Sequence, residues 1–252
     1  MLLLRTLLFH VSFNLNTILH MILCLPVLLL PRPWLWKAVH SWVAVNHWLL
    51  HTICGTRFEI RGLEHVTPGA LLIAAKHQST WETFALVTLF SDPLYVLKRE
   101  LTWLPIFGWW VARAEMIPIR RGTGGTALAN IAERAKIEIA RGRQIIIFPE
   151  GTRRAPGAEP AYKFGIVRLY AELGIRCLPV ALNSGVLWPR RTFRIYPGTI
   201  RMEFLDPIEP GLSEDAFKTR VQDEIETATA RLVALGRAEM EAAIGQPASK
   251  FG

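Results

Sequence analysis

The stretch ALLIAAKHQSTWE, from Ala70 to Glu82, decides the fold. Its apolar run Leu71-Leu72-Ile73-Ala74-Ala75 stops abruptly at Lys76 and His77, and from Trp81 onward the pattern turns helical. A short apolar run bounded in this way reads as a buried strand, Ala70–Lys76, that hands the chain to a helix, Trp81–Phe90. The same alternation repeats downstream. Further strands are predicted at Leu94–Lys98, Ala114–Ile119, Gln144–Pro149, Cys177–Leu182 and Thr199–Leu205, with helices at Thr126–Arg141 and Tyr162–Leu173. A β-like stretch, Thr56–Arg61, opens the series, and Ser213-Glu214-Asp215 caps a last amphipathic helix reaching about Glu239. Together these predict an α/β fold with a mixed, largely parallel sheet flanked by helices.

Upstream of Gly55 the chain has a different character. No acidic residue precedes Glu59. Leu2–Leu30 reads as a helix interrupted at Pro26, and Trp34–Cys54 as a second helix carrying Trp34, Trp36, Trp42 and Trp48. The expected organisation is a two-helix membrane module over residues 1–55, an α/β domain over 56–240 and a tail over 241–252.

Composition supports that division. The chain has 252 residues, enough for one substantial domain, and combines 51% hydrophobic residues and nine tryptophans with a net charge of +8. Nucleic acid or an anionic membrane surface could each account for the charge, but the greasy, tryptophan-rich leader favours the membrane, and no nucleic-acid partner is expected. Three widely spaced cysteines, Cys24, Cys54 and Cys177, predict neither a disulfide framework nor a cysteine-ligated metal, and fit a reducing, cytoplasm-facing location. The opening MLLLRTLLFH lacks a small-x-small cleavage site, so it reads as a retained anchor. His10, Asn14, Asn16 and His20 would be costly in a simple spanning helix, and Arg5 at one end faces Arg32 and Lys37 at the other. The module is therefore expected to enter one leaflet and return.

Two constellations could carry chemistry. His77 stands at the C-terminal end of a buried strand, where open α/β sheets bind ligands, and Glu82 follows five positions later, able to fold back and hold the imidazole. Taken alone, the pair fits a histidine that caps the next helix at least as well as a general base. The second is QIIIFPEGTRR, Gln144 to Arg154, a buried strand ending in a Pro-Glu-Gly turn that presents Thr152 and Arg153 in a manner suited to phosphate. A polar turn with solvated arginines fits equally. Ser79 is a rival acyl nucleophile without the G-x-S-x-G elbow. His47 and His51 lie one helical turn apart but read as an interfacial helix face, not a metal grip, and Gly122–Gly125 reads as a turn with a Thr cap.

In order and spacing, His77-x4-Glu82, Phe148-Pro149-Glu150-Gly151-Thr152-Arg153 and Leu178-Pro179-Val180-Ala181 resemble three of the four signature blocks of the glycerolipid acyltransferases, and the bacterial 1-acyl-glycerol-3-phosphate acyltransferase branch most closely. Lys98-Arg99-Glu100-Leu101 and Tyr162-Lys163-Phe164-Gly165 resemble two further family segments, so the resemblance covers about residues 62–207. It departs at Glu82, where the family usually has Asp, at Lys76, where it has Asn, and at Ile117–Arg121, where it has Phe-Ile-Asp-Arg. The resemblance implies a glycerol-3-phosphate acyltransferase-like fold and acyl transfer to the 2-hydroxyl of 1-acylglycerol-3-phosphate, giving phosphatidate. It implies His77 as base with Glu82 as its partner, Lys98, Arg121 and Arg153 as acceptor-phosphate ligands, and Glu150, Gly151 and Thr152 shaping the turn at the substrate site. No metal or cofactor is implied; acyl-CoA or acyl-carrier protein is the co-substrate, membrane lipids the partners, and the inner membrane with the catalytic domain facing the cytoplasm the location. Another lyso-lipid acceptor, such as a lyso-aminolipid, or a non-catalytic anionic-lipid binder are the alternatives.

Overall fold

The computed structural model describes residues 1–119 and 124–245. Among them seven strands form one sheet: β1 (Thr56–Arg61), β2 (Leu71–Ala75), β3 (Pro93–Lys98), β4 (Ile117–Ile119), β5 (Gln144–Ile147), β6 (Cys177–Leu182) and β7 (Gly198–Phe204). Their order is β1-β7-β6-β2-β5-β3-β4, and every described pair is parallel except β6 with β7. The mixed, largely parallel sheet expected from the sequence is present.

The register explains why three sequence blocks become one site. β2 lies between β5 and β6, with Ala74 opposite both Ile147 and Pro179. The chain therefore leaves β2 at Lys76 beside the place where it leaves β5 at Phe148. Both sheet faces are covered, which is why β2 is apolar without alternation. Leu71, Ile73 and Ala75 enter the core on one face and Leu72 and Ala74 the core on the other, all fully buried. Each large aliphatic side chain so buried contributes about 1.5–3 kcal/mol.

Helices complete the layers: α1 (Leu2–Leu23), α2 (Arg32–Leu49), α3 (Trp81–Ala85), α4 (Phe107–Arg113), α5 (Gly124–Ala140), α6 (Phe164–Leu173), α7 (Ser184–Leu187) and α8 (Glu214–Ile244). Residues of α5, α6 and α8, such as Ile131, Leu169 and Ile225, fill the core on one face, and residues of α1, α2 and α3, such as Phe9, Val43 and Phe84, fill it on the other. The Ser213 hydroxyl caps α8 by accepting from the Ala216 amide at 3.3 Å, as its sequence position predicted.

Several expected boundaries change. The strand expected at Ala114–Ile119 is only Ile117–Ile119, because Ala114 ends α4 and Glu115 takes a positive φ of 51°. The helix expected over Trp81–Phe90 gives way after Ala85 to a 3-10 turn, Leu86–Thr88. α4 was not anticipated, since a glycine and two tryptophans concealed its short period. α1 ends at Leu23 and a 3-10 turn, Leu25–Leu29, carries Pro26, in keeping with the predicted interruption.

The two N-terminal helices share a core with the sheet. The Asn16 amide donates to Asn46 Oδ1 at 3.0 Å and the Trp42 indole to Thr17 Oγ1 at 3.1 Å, which joins α1 to α2. Phe9 is buried edge-on against Trp188 at 5.3 Å, and the Ile195 amide donates to Thr6 Oγ1 at 3.3 Å. The outward side of α1, including Leu4, Leu8, Val11, Leu15 and Ile18, is exposed. α1 is also the one described helix long and apolar enough to cross a membrane.

Candidate active site

Glu82 organises the chain that leaves β2. It sits in the first turn of α3, fully buried, and its Oε1 accepts from the Gln78 and Ser79 amides at 2.7 and 2.6 Å and meets His77 Nδ1 at 2.9 Å. Ser184 Oγ donates to Oε2 at 2.7 Å. A carboxylate held by so many donors is fixed in place, which suits a group that must orient an imidazole. Because Oε1 can only accept, the proton of neutral His77 is assigned to Nδ1, leaving Nε2 basic. The ring is fixed flat against Phe148, centroids 4.0 Å apart at 16°, and Tyr95 also stacks on Phe148 at 5.8 Å. Burial and the neighbouring Glu82 charge push the Tyr95 hydroxyl well above its usual pKa, so it is neutral.

The turn after β5 lies directly alongside. The Arg154 amide donates to the His77 carbonyl at 2.8 Å, and Arg153 Nη1 donates to Thr80 Oγ1 at 2.9 Å. Both expected blocks are thus tied by their backbones as well as by register. Glu150 does not face the substrate space. Its side chain is buried and pairs with Lys76 Nζ at 3.0 Å; Lys76 also meets Glu226 of α8 at 2.6 Å, and the Tyr162 hydroxyl donates to the same Glu226 oxygen at 3.0 Å. A carboxylate engaged below the turn shapes it and leaves the cavity surface to Gly151, Thr152 and Arg153.

Those three residues, with His77, Thr80 and Lys98, line a cavity of about 970 Å³. Its basic rim also holds Lys163, and its body runs between apolar walls, Val87, Trp110, Val111 and Met116, to Met21, Val39 and Trp42 of the N-terminal helices. A charged head and a long hydrocarbon chain fit these two ends respectively. Arg121 lies outside the described residues. Ser79 is buried, its hydroxyl taken up near the Trp81 amide at 3.4 Å.

Sequence reasoning missed Ser184, which is 102 residues from Glu82 in the chain. Its position two residues past the end of β6 and three past the third motif block was the available signal. The neighbouring Gly185 is needed there: its amide donates to Gln78 Oε1 at 3.1 Å, and a Cβ would come within 2.8 Å of Gln78 Cβ. Among the described residues no group of three or more His, Cys, Asp or Glu side chains could hold a metal ion. His47 packs between Phe58, Trp81 and Phe84 as a core aromatic, and burial lowers its pKa to about 4.

A sequence profile of the Acyltransferase family matches residues 57–183, half of the chain, a span that holds His77, Glu82, Lys98 and Glu150–Arg153. The chain belongs to the acyltransferase family. It is 39% identical over 164 residues to the 1-acyl-sn-glycerol-3-phosphate acyltransferase of Pseudomonas aeruginosa, covering 65% of this chain and 64% of that protein. It is also 29% identical over 140 residues to the lyso-ornithine lipid O-acyltransferase of the same organism, 55% of this chain and 53% of that one. The chain thus spans just under two thirds of the length of the first of these relatives. Among solved structures, the 1-acyl-sn-glycerophosphate (LPA) acyltransferase of Thermotoga maritima superposes with a TM-score of 0.77 at 20% identity, over 92% of this chain and 98% of that one, which places the two in one fold.

Proposed function

We propose that this acyltransferase moves a fatty acyl group from a thioester, acyl-CoA or acyl-carrier protein, to the 2-hydroxyl of 1-acylglycerol-3-phosphate, giving phosphatidate. The observation that carries the reading is the 2.9 Å contact between His77 Nδ1 and Glu82, made at the point where a basic rim meets a deep apolar cavity. The acceptor hydroxyl would donate to His77 Nε2. As its oxygen attacks the thioester carbonyl the C–O bond forms and the proton passes to Nε2, where Glu82 stabilises the imidazolium. Collapse of the tetrahedral adduct breaks the C–S bond, and the imidazolium returns the proton to the departing thiolate. The acceptor phosphate would lie against Arg153, which is exposed and aimed at the rim through its bond to Thr80, and against Lys98.

Transfer on a membrane surface supports this reading, since the acceptor is a lipid and the outward side of α1 is apolar. The bonds that join Thr6 and His10 of α1 to residues 193–195 would drag the α/β domain into hydrocarbon if α1 crossed, which supports a path within one leaflet, and the proposed location is the cytoplasmic leaflet of the inner membrane. The experiment is an assay of the purified full chain with lysophosphatidate and lyso-ornithine lipid as acceptors and both thioesters as donors. Transfer to lysophosphatidate is expected; transfer to the lyso-aminolipid alone would replace the acceptor.

A further inference from the structure

We propose that the segment between β3 and β4 forms a second membrane contact, separate from the N-terminal helices, and is the wall past which lipid enters the cavity; this rests on the reading of the cavity as an acyl-lipid site. The segment has two faces. Leu101, Phe107, Trp110 and Val111 line the cavity, whereas Trp103, Leu104 and Trp109 point outward, the two tryptophans 65% and 59% exposed. Large apolar side chains gathered so closely on a surface mark a contact with something other than water.

The chemistry of the patch selects a lipid leaflet. Tryptophan settles at the membrane–water interface, with cations nearby to meet lipid phosphates. Here the Arg99 guanidinium lies 5.9 Å from the Trp103 ring, as Lys37 lies 4.3 Å from Trp34 in the N-terminal module. The segment is also clamped to that module. Arg113 donates to the Leu28 and Leu30 carbonyls at 3.0 and 2.7 Å, and Arg32 reaches back to Glu115 at 3.2 Å. Leu29, between those two carbonyls, is 91% exposed. Whatever leaflet receives Leu29 therefore adjoins the tryptophan surface.

The backbone is held in this form at a conformational cost. Ile106, a β-branched residue, has φ 65° and ψ −55°, with the Phe107 amide 2.6 Å from the Pro105 carbonyl, a γ-turn of the rare hand. Gly108 lets the two arms close, since a Cβ there would meet the Thr102 carbonyl oxygen at 2.2 Å. Strained turns of this kind persist at ligand clamps and moving walls, and this one leaves Trp103 and Trp109 facing outward from the two arms.

The test attaches an environment-sensitive fluorophore to the full chain in a Cys24→Ser background, through Trp103→Cys, Trp109→Cys, Leu8→Cys on α1 or Lys218→Cys on α8. Vesicles of phosphatidylethanolamine and phosphatidylglycerol with brominated acyl chains serve as the quencher. Quenching at positions 103, 109 and 8 but not at 218 is expected. Quenching at 8 alone would show that the N-terminal helices are the membrane contact and would overturn the proposal; so would disulfide linkage of two copies through position 103 in place of quenching. Trp103→Ser/Trp109→Ser should also raise the apparent KM for vesicle-borne lysophosphatidate relative to micellar lysophosphatidate, by roughly tenfold for two lost interfacial side chains. If the unaltered chain transfers no acyl group to lysophosphatidate while positions 103 and 109 are quenched, the functional reading fails and the membrane contact stands.

Discussion

Lys76 and Glu150 form an ion pair of 3.0 Å in which neither side chain is more than 2% exposed, so the residue just before His77 holds the turn that presents Arg153. The pair also reaches α8 through Glu226, 2.6 Å from the same ammonium. Burial pushes the Glu150 carboxyl up and the Lys76 charge opposes it. Lys76→Met would leave the Glu150 and Glu226 carboxylates with only the Arg154 guanidinium, 3.9 Å from Glu150, a loss of about 3–5 kcal/mol for a broken buried pair. Melting of the detergent-solubilised protein should fall by roughly 6–20 °C on the usual scaling for a chain of this size. Glu226→Gln keeps one lysine with one carboxylate and should cost far less. Equal losses for the two variants would show that the network does not depend on the lysine charge.

His77→Ala should lower kcat by about 100-fold to 10,000-fold, the range of a general base, with vesicle binding unchanged because the anchor lies elsewhere. Activity above roughly a tenth of wild type would remove His77 from the mechanism, given the size of that contribution. Ser184→Ala should lower kcat more mildly. It leaves one oxygen of the buried Glu82 without its donor, an unsatisfied group that costs about 1–3 kcal/mol. A parallel fall in Ser184→Ala and in a variant of equal stability loss remote from the site would make Ser184 merely structural.

The contrast between His77–Glu82 and Ser184 shows what the sequence could reveal. The strand endings at Lys76 and Phe148 were legible because a doubly buried strand must be apolar and must stop abruptly. The spacing from His77 to Glu82 was legible because one turn of chain closes it. Ser184 and Glu226 were not, since their partners are set by the order β6-β2-β5 and by the docking of α8, and strand order leaves no local pattern. α4 was hidden for another reason: its outward Trp109, beside the cavity-lining Trp110, follows the demands of the surface and not a helical apolar stripe. Lys76 was visible as a departure from the family pattern, but its buried partners were not.

Arg153→Ala should raise the KM for lysophosphatidate while leaving the donor KM near its original value, because an exposed guanidinium at the rim is lost and His77 remains. Initial rates with each substrate varied in turn separate the two constants. A raised donor constant with an unchanged acceptor constant would assign this arginine to the carrier's phosphates.

Acid should destabilise the fold partly through His47. Burial holds its folded-state pKa at about 4, below the ordinary 6.5, so the unfolded chain binds the proton first. Stability is intact above about pH 6.5 and falls as pH drops toward about 4, by up to roughly 3 kcal/mol across that window. His47→Phe, which keeps a ring between Phe58 and Trp81, should flatten the acid limb of melting temperature against pH. An unaltered limb would place the proton uptake elsewhere.

The path of α1 gives the last prediction. At 22 residues the helix is long enough to cross hydrocarbon, so its length does not decide the matter. Its partners do. Thr6 accepts from the Ile195 amide at 3.3 Å, His10 Nε2 lies 3.0 Å from the Phe193 carbonyl, and Phe9 is buried against Trp188, so the first half of α1 lies on the domain that carries His77. Asn16 and Thr17 are engaged by α2 on the inner side, while Leu4, Leu8, Leu15 and Leu19 face outward. A helix fixed in this way is expected to sink its apolar side into the near leaflet. A single cysteine at position 2, with Cys24, Cys54 and Cys177 replaced by serine, should react with an impermeant maleimide only after the cytoplasmic face is opened. Labelling in intact cells would show that α1 crosses and that its contacts with residues 193–195 are broken in the membrane.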